Sequence, residues 1–200
     1  METIIISSPE KIDKEEYFIS LLFDQGLEYF HLRKPNWMKS QVVDLLNKIP
    51  SQYHNKIISH DNWDLMSDFD LGGIHIREKD KHLISTKNSN FHSIAVHNLQ
   101  ELYKIEKEFK YAFLSPVFNS ISKENVKAAY DLDGLKVKFL KNKPEVPVYA
   151  LGGIDLENIL TAKEIGFDGV AILGFIWNLF KDKGLKEAIL NFKKLQVLCQ

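Results

Sequence analysis

Short runs of apolar residues, bounded by glycine or polar turns, alternate along this chain with longer segments in which apolar residues recur every three or four positions. The short runs are too uniformly apolar for strands with one wet face, so they predict strands buried on both faces, as in a parallel sheet covered by helices. Eight windows have this character: 3–7, 29–33, 56–59, 73–76, 93–97, 111–115, 148–151 and 170–173. The longer segments predict helices over 15–25, 39–48, 99–109, 132–141, 156–165 and 185–198, with a short turn near Trp63 and a weak or absent helix over 81–88. Eight strands at this spacing predict an α/β fold, a compact (β/α)8 TIM barrel in one domain, 1–200. The alternative, an open doubly wound sheet, usually has fewer strands and a GxGxxG turn after the first, which is missing here.

The stretch 146–177 carries the strongest local signal. The buried strand PVYAL stops at Gly152 and Gly153, where a ligand can approach bare main chain. Asp155 or Asn158 then opens a helix that places Ile159, Ala162 and Ile165 on one face until Gly166, and a second buried strand stops at Gly174. Strand, glycine, helix, strand, glycine is the order of the last two units of a parallel barrel, where backbone N–H groups and a short helix N-terminus hold a phosphate. An ordinary crossover with glycine turns would look similar.

Composition narrows the partners. With 26 Lys and Arg against 27 Asp and Glu, net charge gives no reason to expect nucleic acid, so a bound phosphate should be small and local. Cys199 is the only cysteine, which excludes an internal disulfide, makes a nucleophilic or zinc role unfavoured and fits a reducing cytoplasm. Neither apolar start, METIII or AILGFIW, is long enough to span a membrane. Small molecules are the expected partners, with association between copies of the chain left open.

In such a barrel, polar residues at the C-terminal ends of strands face the active site. These are His31, Arg33 and Lys34 after strand two, His60 and Asp61 after strand three, Asp80 after strand four, His97 after strand five and Ser115 after strand six. The loop over 118–130 adds Ser120, Ser122 and Lys123. Two carboxylates, several cations and bare backbone at one mouth suit a diphosphate bound with Mg²⁺. Each residue also has an ordinary reading: Asp61 as the cap of the Trp63 turn, Asp80 as part of a solvated charge run, His97 as a bond to nearby backbone.

Seven segments together resemble the thiamine phosphate synthase and thiazole tautomerase family, in order and at matching spacing: FHLRK, ISHDNWDL, GGIHIREKD, SIAVHN, SPVFNSISK, VYALGGI and GVAILGFI. SPVFNSISK, similar to the family's GPVFxTxTK, is the most specific. The resemblance implies a barrel that joins hydroxymethylpyrimidine diphosphate to a thiazole phosphate and releases pyrophosphate. It implies that Arg33 and Lys123 hold the diphosphate, that Asp61 and Asp80 bind Mg²⁺, and that Ser120, Ser122, Gly152, Gly153 and Gly174, with Leu173 beside it, hold the thiazole phosphate. His31, Lys34 and His60 join the substrate-binding set.

The chain departs from the pattern at several of these places. The family's Gln-x-Arg-Glu-Lys reads His31, Leu32, Arg33, Lys34, Pro35, so Lys34 stands as the replacement cation. The Asn before the metal Asp is His60, and Ala95, Ser115 and Gly174 replace a Ser, a Gly and a Ser. A synthase is the expected activity. A tautomerase with His97 as acid or base, or a barrel that only binds a phosphorylated ligand, are the alternatives. A zinc hydrolase is disfavoured because strand two offers His-x-Arg where His-x-His is common.

Overall fold

In the computed structural model, which describes residues 1–77, 80, 81, 91–119 and 127–200, eight parallel strands close into one barrel in chain order. They are β1 (Glu2–Ile6), β2 (Tyr29–Leu32), β3 (Ile57–Ser59), β4 (Gly73–Arg77), β5 (His92–Val96), β6 (Tyr111–Leu114), β7 (Val148–Leu151) and β8 (Gly169–Ile172). The ring closes where Ile4 of β1 lies beside Ala171 of β8. Around it run α1 (Glu15–Asp24), α2 (Lys39–Lys48), α3 (Leu65–Phe69), α4 (Leu99–Leu102), α5 (Leu132–Lys141), α6 (Ile159–Ile165), α7 (Gly174–Lys183) and α8 (Leu185–Cys199).

Alternation along the strands sorts the apolar residues into two cores. Ile5, Phe30, Ile57, Ile74, Ile94, Ala112, Val148 and Val170 point outward and pack under the helices, against residues such as Phe18, Leu22 and Phe192. Ile4, Ile6, Tyr111, Phe113, Tyr149 and Ala171 point inward and form a separate cluster within the barrel. The interior is therefore largely aromatic: Tyr111 and Tyr149 stack at 4.5 Å between ring centroids. Gly169 leaves room for them, since a Cβ there would come within 2.6 Å of the Tyr149 ring.

The strands begin and end within a residue of their expected places, and α2 and α5 match throughout. Two helices differ most from expectation. The segment expected as a helix over 99–109 stops at Leu102, and the chain continues in tight turns such as Ile105 N–H to Leu102 and Phe109 N–H to Glu106, which still bury Ile105 and Phe109. The helix α7 was not expected, because it follows β8 with no polar cap and its first turn continues an apolar run. Trp177 anchors it: the indole N–H donates to the Ile6 carbonyl at 2.7 Å, and the ring meets the edge of Phe18 at 5.3 Å. Most of the expected segment 81–88 lies outside the described residues.

Candidate active site

The barrel interior below the mouth holds a connected set of polar side chains on neighbouring strands. His31 Nδ1 lies 2.8 Å from His60 Nε2, and His31 Nε2 lies 2.5 Å from the Tyr111 hydroxyl. Tyr111 is hydrogen-bonded to Ser93, and Ser93 Oγ lies 2.9 Å from His75 Nδ1. One direction of donation satisfies every link: His75 N–H to Ser93, Ser93 O–H to Tyr111, Tyr111 O–H to His31, and His31 N–H to His60. The register produces this arrangement by placing His75 beside Ser93 and Ser93 beside Tyr111.

Burial sets the charge of these rings. His31 has no solvent exposure, and desolvation, then the neighbouring His75, holds its pKa well below the usual histidine value. His60 is lowered well below it chiefly by desolvation, and then by His75, His31, Arg33 and Arg77. Desolvation and then Arg33 take His75 down to about 3. All three imidazoles are thus neutral near pH 7.

Above this layer a cavity of about 380 Å³ opens at the strands' C-terminal ends. His60, His75 and Phe113 form its floor, Ala95, Leu151 and Leu173 its apolar wall, and Arg33, Asp61, Arg77 and His97 its polar rim. A second cavity, about 230 Å³, lies between the start of α1 and α2 and is lined by no strand residue. The first is where a ligand of this fold belongs.

Backbone contacts fix the rim residues. Ser7 Oγ accepts from the Arg33 N–H at 2.8 Å and donates to the Arg33 carbonyl at 2.9 Å. The His60 N–H donates to Leu32, and the His60 carbonyl accepts from the Trp63 indole at 3.1 Å. The N-cap residue of α3 is Asp64, so Asp61 is left to face the cavity. Arg77 Nε holds Asp80 at 2.6 Å. His97 Nδ1 is 3.2 Å from the Ser115 carbonyl, and the Tyr130 hydroxyl donates to the His97 carbonyl at 2.7 Å. Of the two carboxylates expected to bind Mg²⁺, Asp61 lines the cavity, whereas Asp80 is paired with Arg77 and is not among the lining residues; both are of the hard oxygen type that Mg²⁺ prefers.

Lys34 is elsewhere. Its side chain points out of the barrel behind β2, where the ammonium meets Glu15 at 2.6 Å and the Glu10 carbonyl at 3.0 Å and sits 4.1 Å from the centre of the Trp37 ring. Strand alternation puts it there: Arg33 follows His31 toward the mouth, and the residue after Arg33 goes the other way.

Gly152 and Gly153 both have positive φ, +103° and +66°. A Cβ on Gly153 would lie 2.0 Å from the Asn119 carbonyl oxygen, and one on Gly152 would lie 2.9 Å from Pro116. The glycines therefore also let the segment after β6 lie against the end of β7, where the Phe118 N–H donates to the Gly152 carbonyl. Asn158 fastens the turn from the other side by donating to the Gly153 carbonyl at 2.6 Å. Asp155 Oδ1 accepts from the Glu157 and Asn158 N–H groups, so α6 starts at Ile159, later than 156. Gly174 opens α7 with Leu173 before it. Ser120, Ser122 and Lys123 lie outside the described residues.

Sequence reading missed His75, Arg77, Ser93 and Tyr111. A signal existed for two of them, since Ser93 lies four residues before His97 and Tyr111 four before Ser115, both strand-end positions already expected to face the mouth. The argument against a zinc-type centre looked for paired histidines on one strand, whereas the barrel gathers three from β2, the end of β3 and β4.

A ligand-sized cavity with charged groups at its rim, set at the C-terminal ends of a closed (β/α)8 barrel and next to glycine turns after β7 and β8, defines a barrel built for small polar or phosphorylated molecules. Within that class, the family model described as thiamine monophosphate synthase matches residues 3–176, and the chain belongs to that family. A thiamine-phosphate synthase of Bacillus cereus (strain ATCC 10987 / NRS 248) is 27% identical over 135 residues, which are 66% of this chain and 60% of that protein. The chain thus spans about three fifths of the length of the curated relatives it matches. The crystal structure of thiamine phosphate pyrophosphorylase from Bacteroides thetaiotaomicron is 31% identical with a TM-score of 0.84, covering 99% of this chain and 97% of that one. The thiamine phosphate pyrophosphorylase from Pyrococcus furiosus, 17% identical, covers 100% of this chain and 97% of its own with a TM-score of 0.75, a likeness of fold.

Proposed function

We propose that the protein joins hydroxymethylpyrimidine diphosphate to thiazole phosphate and releases pyrophosphate, a step of thiamine biosynthesis in the cytoplasm. The observation that carries this reading is the mouth cavity, in which Arg33, Arg77 and Asp61 surround a floor of neutral imidazoles and the Phe113 ring. In the reaction, the bond between the methylene carbon and the diphosphate oxygen breaks and the oxygen leaves with the electron pair. The thiazole nitrogen then forms the new bond by donating its lone pair to that carbon. No protein nucleophile is needed.

Each group has a task in this scheme. The Arg33 guanidinium meets the charge growing on the departing diphosphate, with Lys123 assigned to the same task. Mg²⁺, held by Asp61 and Asp80, would supply further charge neutralisation to the diphosphate. The aminopyrimidine lies over Phe113 and the ring faces of His60 and His75. Ser120, Ser122, Gly152, Gly153, Leu173 and Gly174 hold the thiazole phosphate across the mouth.

The test is incubation of the purified protein with both phosphorylated halves, with and without Mg²⁺, and separation of products by anion exchange. Coupling that requires Mg²⁺ and falls at least about 100-fold in Asp80→Asn, with an unchanged melting temperature, is expected. Metal-independent coupling in that variant would remove the metal assignment. His97, an imidazole on the cavity rim, supports a second reading, the thiazole tautomerase. Isomerisation of the thiazole phosphate carboxylate alone, without diphosphate or Mg²⁺, would favour it.

A further inference from the structure

We infer that His31, His60 and His75 form a site for one divalent transition-metal ion of the zinc class, on the floor of the mouth cavity and separate from the carboxylate pair assigned to Mg²⁺. One nitrogen from each ring lies within 4.8 Å of the others. A tetrahedral ion bound at about 2.0–2.1 Å holds its nitrogens about 3.3–3.5 Å apart. His31 Nδ1 and His60 Nε2 are 2.8 Å apart, so that pair opens by about half an ångström to admit the ion, and the His75 nitrogen lies within 4.8 Å of both.

What lies behind the rings supports the assignment. A histidine bound to a metal almost always donates its other ring N–H to an oxygen, which fixes the tautomer and aims the free lone pair. His75 already donates in this way to the Ser93 hydroxyl at 2.9 Å, while His31, which accepts from Tyr111 when it donates to His60, would take the other tautomer and donate to that hydroxyl at 2.5 Å once an ion replaced the His60 bond. His60 and His75 line the open cavity, so the fourth position faces the space where a ligand would enter. A phosphate oxygen or a ring nitrogen could fill it. Arg33 and Arg77 at the rim oppose a cation, but Arg77 is paired with Asp80 and Asp61 faces the same cavity, so the two cations are matched by two carboxylates. Nitrogen donors also separate this site from Mg²⁺, which prefers oxygen.

The test is titration of the full chain, stripped with a chelator, with Co²⁺, read in the visible spectrum. A single equivalent giving the intense bands of four-coordinate Co²⁺, displaced by one equivalent of Zn²⁺ and untouched by a large excess of Mg²⁺, is expected. Loss of an outer partner alone weakens such sites about 10- to 100-fold, so His75→Ala should weaken Co²⁺ binding by at least that factor, while Asp80→Asn keeps it. His60→Ala, at the half-buried edge of the cluster, serves as a second variant if His75→Ala does not fold. Circular dichroism identifies which variants are folded. Absence of Co²⁺ binding, weak six-coordinate bands, displacement by Mg²⁺, or unchanged affinity in the folded histidine variants would each overturn the site.

Discussion

The buried pair Lys34–Glu15 gives the sharpest test of whether a residue near the mouth in sequence acts there. Its nitrogen and oxygen are 2.6 Å apart, with side-chain exposures of 1% and 3%. Desolvation is the largest effect on both groups, raising the Glu15 pKa and lowering that of Lys34, each opposed by the partner's charge. Glu15→Gln would leave a buried ammonium with no anionic partner among the described residues, beside the Glu10 carbonyl and the Trp37 ring. Removing one partner of a buried pair costs about 3–5 kcal/mol, whereas replacing both with apolar residues of similar size is often neutral or stabilising. Glu15→Gln and Lys34→Met should therefore each cost several kcal/mol, and Glu15→Leu combined with Lys34→Met should restore most of the loss.

Urea unfolding followed by tryptophan fluorescence reads this directly. With a slope of about 2–3 kcal/mol per M for a chain of this size, a loss of 3–5 kcal/mol lowers the midpoint by roughly 1–2 M. A midpoint drop under about 0.3 M, or a double variant as weak as the singles, would refute the reasoning. The binding arm is separate: the double variant should bind Mg²⁺-pyrophosphate within about twofold of the parent. If Lys34 were instead the replacement cation for the diphosphate, losing a charged hydrogen bond would weaken binding by about 1.5–3 kcal/mol, at least tenfold.

Three further outcomes are expected. Gly153→Val should displace the segment after β6, because its Cβ would lie 2.0 Å from the Asn119 carbonyl oxygen, so calorimetry should find both pyrophosphate and thiazole phosphate binding weakened; retained pyrophosphate affinity would mean that segment adjusts without disturbing the diphosphate side. Lys123→Ala should weaken Mg²⁺-pyrophosphate binding and spare thiazole phosphate, and equal loss of both would place the lysine between the two subsites. For metal-stripped protein, the folded value of His75 is depressed to about 3 while the unfolded chain titrates near 6.5, so the unfolded state alone takes up the proton as pH falls; the stability is whole above about 6.5 and about 2 kcal/mol lower by pH 5. His31 and His60 act in the same direction. Urea midpoints at pH 7 and 5 should differ less in His75→Gln than in the parent, and equal differences would refute this assignment.

The barrel was legible because its strands are buried on both faces and are therefore apolar throughout. Ile4 and Ile5 face different cores yet both are fully buried, which no strand with a wet side would require. What was not legible at α4 and α7 has opposite causes. At α4, Ile105 and Phe109 keep helical spacing but are buried by successive tight turns, so periodicity survived where the helix did not. At α7 the helix lacked a start signal, since its N-cap residue is Leu173 and its first residue glycine. Tertiary contact, the indole of Trp177 on Ile6, supplies the fixed point that local sequence lacks.

Reading the site went furthest where it followed the geometry of strands and went astray where it followed adjacency in sequence. Arg33, Asp61 and His97 were chosen as strand-end residues and line the cavity. Lys34 was chosen as the strand-end cation that replaces the one missing at Pro35, although the alternation that turns Arg33 to the mouth turns its neighbour away. The same alternation, extended inward from His31, would have named the buried floor. A parallel barrel sets inward residues of neighbouring strands side by side, so His75 meets Ser93, Ser93 meets Tyr111, and Tyr111 reaches His31 across the interior. Such a network leaves no motif along the chain, because each member contributes one polar residue to an otherwise apolar strand. It is visible only as a buried polar residue in need of a partner, and the requirement that buried polar groups be satisfied is what links the four strands into one floor.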